Sequence, residues 1–242
     1  LRLTGNVNTL TVRDANRIID EIGEVERVAP FEEKRMAAKF SNNSAETTIA
    51  GSTIDFRFIR NYELKNGEFF SEIDVKTANR VAIIGMTVVK NLFGEEDPVG
   101  QVIRVHFIPF KIIGVFEPKG VDTNGLDQDD LVLIPLSTYM RRIVNQTFVS
   151  RIFVQASSRK NIPKASEKIR ELLRESHKLT DERNDDFTLI SQLDIEELKK
   201  ETTEMFTKLI VGVAGISLLV GGIGILAVML ISVKERTREI GI

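Results

Sequence analysis

Arg151-Ile-Phe-Val-Gln-Ala156, Pro163-Lys-Ala-Ser-Glu-Lys-Ile-Arg-Glu-Leu-Leu-Arg-Glu-Ser-His177 and Asp186-Phe-Thr-Leu-Ile190 follow one another as strand, helix and strand. Pro163 stands where a first helical turn tolerates it, because the amide it lacks would have no partner there. The unit is therefore β-α-β. A second copy opens the chain. Thr11 is suited to cap a helix that runs to Ile22, with Asp14 in its first turn, Ala15, Ile18, Ile19 and Ile22 on one face, and Gly23 as its stop. A possible strand precedes that helix and Val25–Ala29 follows it. If the two units form one domain, what lies between them is an insertion, and the first domain is discontinuous. The expected class is α+β, with the discontinuous domain at 1–50 plus 146–192 and the inserted β-rich α/β subdomain at 51–145.

Working outward, strand-like runs at Arg35–Phe40 and Thr47–Ile59 are separated by the turn residues Ser41-Asn42-Asn43-Ser44. Asn66-Gly67 reads as a turn, Val81–Ile84 as an apolar strand, and Thr87–Phe93 as a short helix closed by Gly94. Val102–Phe107 and Phe110–Phe116 suggest a β-pair whose linker, Ile108-Pro109, breaks the pattern. Leu131–Ile134 is a further strand, ended by Pro135 and followed by a helix to about Val144.

From Leu193 the pattern turns helical and has no Pro or Gly before Gly212. Ile195, Leu198, Thr202, Met205 and Leu209 fall at 3-4-3-4 spacing, a narrow seam suited to packing on another helix, with Thr202 a polar exception. Residues 193–208 are thus expected to be a stalk helix. Between Lys208 and Lys234 no residue is charged. As a helix those residues 209–233 reach roughly 37 Å at ~1.5 Å per residue, more than the ~30 Å hydrocarbon core of a bilayer. The five glycines in this run would weaken a helix in water but allow close approach in lipid, and Ser217 with Gly221 makes a small-xxx-small pair for packing in the membrane. The following residues 234–242 carry Lys234, Arg236 and Arg238 close behind the span, which favours a cytoplasmic C-terminus. The first residue is Leu1 rather than Met and the last are Gly241-Ile242, just behind a charged run, so the chain is expected to be a piece of a longer one.

The composition excludes several chemistries. With 33 basic and 35 acidic residues the chain has no general attraction for nucleic acid. It has no cysteine, which removes disulfides, thiol catalysis and Cys-ligated metals, and only His106 and His177 could supply imidazole. The acidic run from Asp122 to Asp130 fails the calcium-loop pattern: glycine is fourth rather than sixth and the twelfth position is Leu133. It is expected to be a solvated turn leading into the Leu131 strand. Asn42 and Asn145 lie in N-x-S/T triplets that carry no weight by themselves. His177 reads as a favourable cation at a helix C-terminus. No catalytic constellation can be picked out, and neither catalytic, cofactor-binding nor metal residues are expected.

The ordered stretches Asn79-Arg-Val-Ala-Ile-Ile-Gly85, Leu92-Phe-Gly-Glu-Glu-Asp-Pro-Val-Gly-Gln-Val-Ile-Arg104 and Phe110-Lys-Ile-Ile-Gly-Val115 resemble the extracytoplasmic core domain of MacB-type ABC transporter permeases. So do Gly67-Glu-Phe-Phe70, Lys119-Gly120, the run from Gly125 to Asp130, and Leu133-Ile-Pro-Leu136 with Arg141-Arg142. The tail Val233-Lys-Glu-Arg-Thr-Arg-Glu-Ile-Gly-Ile242 is similar to the start of the coupling segment of FtsX-like permeases. The resemblance implies a porter-like first domain of two β-α-β units, and a permease subunit that couples ATP hydrolysis to movement of its extracytoplasmic domain, called mechanotransmission, for efflux or extraction of substrates. It implies that ATP and Mg are bound on a partner or fused ABC ATPase, and that Glu235, Arg236, Thr237, Arg238, Glu239, Ile240 and Gly241 contact it. It further implies a homodimer or a pairing with a related permease, and a periplasmic adaptor with an outer-membrane channel where the host has an outer membrane. Residues 1–208 would then stand outside the cytoplasmic membrane of a bacterium or archaeon, and the lipid bilayer would surround the span. The competing readings are a membrane-anchored sensor or FtsX-like regulator of an extracytoplasmic enzyme, and an anchored extracellular enzyme.

Overall fold

The computed structural model describes residues 2–5, 9–122, 125–180 and 183–241. Thr123 and Asn124 of the acidic loop, Ile242, and the side chains of Glu239 and Ile240 lie outside the described residues. The chain divides into two units, Leu1–Ser191 and Gln192–Ile242. The first contains β1 (Arg2–Gly5), α1 (Val12–Glu21), β2 (Val25–Phe40), β3 (Asn43–Ser52), α2 (Asp55–Ile59), β4 (Leu64–Gly67), α3 (Glu72–Thr77) and β5 (Val81–Ile84). It continues with α4 (Met86–Leu92), β6 (Val102–Val105), β7 (Ile108–Phe116), β8 (Leu131–Pro135) and α5 (Leu136–Thr138), which runs on as a π-helical turn over Tyr139–Val144. β9 (Arg151–Ala156), α6 (Ile162–Ser176) and β10 (Phe187–Ile190) complete it, and α7 (Gln192–Ile240) is the second unit.

Strands β10, β1, β9 and the first half of β2 form an antiparallel sheet in that order. The order arises because each of the two β-α-β units, β1-α1-β2 and β9-α6-β10, leaves room between its strands for a strand of the other. Both helices cover one face, where Ala15 and Ile18 of α1 meet Ala165, Ile169, Leu172 and Leu173 of α6 over Leu3, Val28, Ile152 and Val154. Thr11 caps α1 in a reciprocal capping box with Asp14. The sequence face of α1 is slightly too wide, since Ile19 stays 39% exposed.

Asp14 has a second task. Its carboxylate accepts from Ser176 Oγ at 2.5 Å and stands 3.5 Å from Nε2 of His177, whose Nδ1 is 2.8 Å from Asp186. Burial opposes ionisation of Asp14, yet hydrogen bonds from Ser176 and Thr11 and the nearby His177 hold its pKa below the ordinary value. His177 stands at the C-terminus of α6, where the sequence puts it, and is part of a buried clasp between the start of α1 and the end of α6. A second clasp joins α6 to the loop before β2: Lys164 and Lys168 reach the Glu24 carboxylate at 2.9 and 2.8 Å. These lysines bring the Glu24 pKa down to about 2. A carboxylate whose folded pKa is depressed stabilises above its unfolded value and loses that contribution as pH falls through the folded one. The thermal midpoint of the chain in nanodiscs should thus fall between about pH 4.5 and pH 2, and Glu24→Gln should flatten that part of the profile. An unchanged profile in the variant would remove the clasp from the stability of this unit.

The second half of β2 leaves this sheet. Up to Phe31 the strand pairs with β9, and from Glu32 it pairs with β3. Onward pairings run β3 with β8, β8 with β5, β5 with β7 and β7 with β6. β6 returns to β2 through Ala38↔Val105 and Lys39↔Arg104, so six strands close into a ring with β4 attached outside on β7. Alternate residues point inward. Ala38, Ile49, Ala82, Ile84, Ile103, Val105, Phe110, Ile112, Val132 and Ile134 fill the ring, with α4 and the fully buried Tyr139 packed among them. Residues of the opposite parity, Ala50, Ile83, Leu131 and Leu133, join Phe31, Phe56, Phe70, Phe116 and Phe153 in a separate aromatic cluster.

Several local readings of the sequence are corrected. Val25–Ala29 and Arg35–Phe40 belong to one strand of 16 residues; Pro30 is tolerated because β2 is bonded to β9 alone up to that point. The run Thr47–Ile59 is strand only to Ser52, and Asp55–Ile59 is helix because Phe56 must turn inward to stack on Phe31 at 5.1 Å and Tyr62 at 5.5 Å. The β6–β7 turn is His106-Phe107, both at positive φ, rather than Ile108-Pro109. In a two-residue hairpin the closing pair Val105↔Ile108 is the hydrogen-bonded one, so Pro109 falls at a position whose missing amide faces away from β6. On that side β5 begins pairing only at Lys111. Asn66-Gly67 ends strand β4 rather than forming a free turn, with Gly67 at φ +84°.

Candidate stalk, membrane span and coupling segment

α7 is a single helix of 49 residues, about 73 Å long at ~1.5 Å per residue. It is uninterrupted because no proline occurs in it and its glycines stand where neighbouring residues propagate the helix. Residues 193–208, 209–233 and 234–240, distinct by composition, form one helix by backbone.

At ~100° per residue the seam positions Ile195, Leu198, Thr202, Met205 and Leu209 fall within about 80° of arc. The seam is uncovered: Ile195 is 43% exposed and Met205 63%. Thr202 does not break it chemically, since its hydroxyl donates to the Leu198 carbonyl at 2.8 Å and presents no unsatisfied group to a partner. Thr203, Thr207, Ser232 and Thr237 bond back to their own helix in the same way, as polar side chains do in helices that cross lipid.

The helix from Gln192 to Arg238 is long and apolar enough to cross a membrane, with mean hydropathy 2.6 over its most apolar window and none of it buried. Leu218 is 80% exposed. Ser217 and Gly221 share a face, and the helical angle brings Gly224 onto it, which reading by four-residue pairs alone missed. An added Cβ at Gly221 or Gly224 would meet nothing within 4 Å. Close approach on this face is therefore sterically free.

The helix continues past Val233 to Ile240. Glu235, Arg236, Thr237 and Arg238 are exposed. Gly241 ends the helix, its amide donating to the Thr237 carbonyl at 3.1 Å, and an added Cβ there would stand 2.9 Å from the same oxygen. Residues 234–240 thus extend the helix and present Glu235, Arg236 and Arg238 on its surface.

In the first unit, residues of the ordered stretches quoted above brace one another. Gly85 donates to Leu131 O at 2.8 Å, and an added Cβ would lie 2.2 Å from Asp129 O. The buried Asp129 carboxylate accepts from the amides of Lys119 and Gly120 at 2.8 and 3.0 Å. Asp127 accepts from Thr87 Oγ1 at 2.6 Å and Asp130 pairs with Arg35 at 3.1 Å. The acidic loop is therefore bound into the fold through its carboxylates, where the sequence suggested a solvated turn. Among the described residues no three His, Cys, Asp or Glu side chains stand together as metal ligands.

Residues 2–172 match the model of the MacB-like periplasmic core domain. The chain belongs to this family. The macrolide export ATP-binding/permease protein MacB of Wolinella succinogenes is 35% identical over 237 residues, covering 98% of this chain and 36% of the relative. The pyoverdine export ATP-binding/permease protein PvdT of Pseudomonas syringae pv. syringae is 33% identical, covering 93% of this chain and 34% of its own length. The chain thus spans about a third of the length of the curated relatives it matches. The crystal structure of the periplasmic region of MacB from Actinobacillus actinomycetemcomitans superposes with a TM-score of 0.72 at 21% identity, covering 82% of this chain and 91% of that one. Mixed α/β unit and long terminal helix agree with the fold expected of this MacB-like domain.

Proposed function

We propose that the chain is the external domain, stalk and one membrane helix of an ABC transporter permease subunit that converts ATP hydrolysis on an associated or fused ATPase into movement outside the membrane. The observation that carries this reading is the unbroken helix from Gln192 to Ile240. Displacement at one end of a continuous helix is delivered to the other, whereas a flexible linker would absorb it. ATP and Mg belong on the ATPase, and this chain supplies no catalytic or cofactor group. Its uncovered seam accepts the stalk of a second copy or of a related permease, and the Ser217–Gly221–Gly224 face accepts another membrane helix. The relatives' names, macrolide export in one and pyoverdine export in the other, support export as the outcome while leaving the cargo open. In a host with an outer membrane, an adaptor and outer channel would continue the route.

Coupling is assigned to Glu235, Arg236, Thr237, Arg238, Glu239, Ile240 and Gly241 at the cytoplasmic end. In the full-length transporter, reversing Arg236 and Arg238 together to Glu should lower nucleotide-dependent movement of the external domain at least about tenfold, because complementary charge then becomes repulsion. Replacing both with Lys should retain most of it. Membrane insertion, read by protease accessibility, should not change. Movement within twofold of the parent after charge reversal would remove these residues from the coupling contact.

A further inference from the structure

A cavity of about 510 Å³ opens between the antiparallel sheet and the six-strand ring. Its floor follows from register. Phe31 of β2 stands opposite Arg151 of β9, and Phe153 of β9 stands opposite Arg2 of β1. Residues two apart on a strand share a face. Arg2, Phe153, Arg151 and Phe31 therefore alternate as a checkerboard of cations and rings on the sheet face opposite α1 and α6, whose contacts go to Leu3, Val28, Ile152 and Val154. Arg60 enters from the end of α2, with its guanidinium 5.3 Å from the Phe153 ring centre, while that of Arg151 lies 5.8 Å from Phe31.

The charges do not balance at this end. Arg151 pairs with Glu33 at 2.7 Å, whereas Arg2 and Arg60 have no carboxylate within ion-pair distance among the described residues. Partial burial, and then the repulsion of Arg151 and Arg60, push the Arg2 pKa below its ordinary value. Arg151 also keeps a buried Nε with no hydrogen-bond partner among the described residues. The opposite wall carries Asp122, Asp127 and Asp130, of which Asp130 pairs with Arg35 and Asp127 accepts from the Thr87 hydroxyl, and none of them reaches Arg2 or Arg60 at ion-pair distance. Like charges gathered at the mouth of a cavity, beside an orphaned donor and an aromatic floor, cost free energy when the cavity is empty of anions. A ligand that brings negative charge and an apolar body removes both costs.

We propose that this cavity binds a small amphipathic organic anion, its carboxylate or phosphate held by Arg2, Arg60 and Arg151 and its apolar body seated against Phe31, Phe56 and Phe153. Guanidinium forks match either acid group, and the cavity lies within the ~300–1,000 Å³ range of small-molecule sites. The site is independent of the ATPase, so its test does not depend on the transport reading.

The test is calorimetric titration of the full chain in phosphatidylcholine nanodiscs with 4-phenylbutyrate, phenyl phosphate and the uncharged 4-phenylbutan-1-ol. At least one anion should bind saturably with Kd below about 1 mM, and the alcohol at least about tenfold more weakly. The stronger of the two anions identifies the acid group. Arg60→Gln should weaken the better anion at least about fivefold, and Arg2→Gln combined with it at least about tenfold. Glu33→Gln frees Arg151 and should tighten binding about threefold or more, a gain that a damaged fold does not produce. Arg104→Gln, an exposed arginine of β6 outside the cavity lining, should leave affinity unchanged. No saturable binding of either anion, an alcohol that binds as well as the acid, Arg60→Gln within twofold of the parent, or weakened binding in Glu33→Gln would each overturn the assignment.

Discussion

Seven residues of Gly/Ser sequence inserted after Thr202 should abolish nucleotide-dependent movement of the external domain, while seven helix-forming residues at the same place should preserve most of it. The two insertions lengthen the chain equally and differ in stiffness alone. Seven residues turn a helix by almost two full turns, leaving Met205 and Leu209 within about 20° of their original phase relative to Ile195 and Leu198. The seam therefore survives the helical insertion. The flexible insertion converts a rod into a coil whose ends move independently, so displacement at Arg236 no longer reaches residue 192. These 242 residues contain no cysteine, so the label site is unique within them. Phe107→Cys, at the tip of the β6–β7 turn where the residue is 92% exposed, reports the external domain without touching a core. In the assembled transporter, labels on the two permease subunits should change separation between nucleotide-free and ATP-bound states in the parent and the helical insertion. The flexible insertion should lose at least about four-fifths of the change. A flexible insertion that keeps the full change would refute the lever, whatever the transported cargo.

Legibility in the sequence followed the range over which the deciding interactions act. Both β-α-β units were readable because Thr11, Asp14, Gly23 and Pro163 act within one turn of their own helix. α3 carried an equally local signal, Ser71 with Asp74 in a capping box, and its short length hid it. α7 was readable because absence of charge over 209–233 and absence of proline are properties of a run. The ring was not readable. Its closure rests on two residue pairs between β2 and β6, some 65 positions apart, and on a change of partner inside a continuous strand at Phe31 and Glu32. α2 looked like strand because the ring stacking that makes Phe56 turn inward comes from Phe31 and Tyr62. The same limit applies to sites: Arg2, Arg60 and Arg151 lie far apart in sequence and meet only through strand register. The helix that carries the seam and the residues proposed for coupling was readable, since its neighbours along the chain are its neighbours in space.

Gly85→Ala should destabilise the first unit by about 3 kcal/mol or more, at the upper end of overpacking costs. Gly85 has ordinary negative φ, −84°, so the cost is not backbone strain. It is space: the added Cβ would lie 2.2 Å from the Asp129 carbonyl oxygen and 2.8 Å from its carbon, both backbone atoms that cannot rotate away. Relief requires the Asp129 backbone to retreat. That segment is held from three directions, by the Asp129 carboxylate on the amides of Lys119 and Gly120, by Thr87 N on Asp129 O, and by Gly85 N on Leu131 O. Retreat would also pull β8 out of register with β5, where Ile83↔Leu133 and Ile84↔Val132 pair across two apolar cores. Against a typical total stability of ~5–15 kcal/mol, such a loss leaves the unit marginal. Gly23→Ala is the matched control, because an added Cβ there meets nothing within 4 Å; it should be neutral or stabilise by up to about 1 kcal/mol through the unfolded chain. Denaturant midpoints of the two variants, followed by circular dichroism in nanodiscs, read the difference directly. Equal midpoints would show that the β5–α4 turn is not held against Asp129, and with it the bracing through which the ordered stretches from Asn79 to Asp130 support one another.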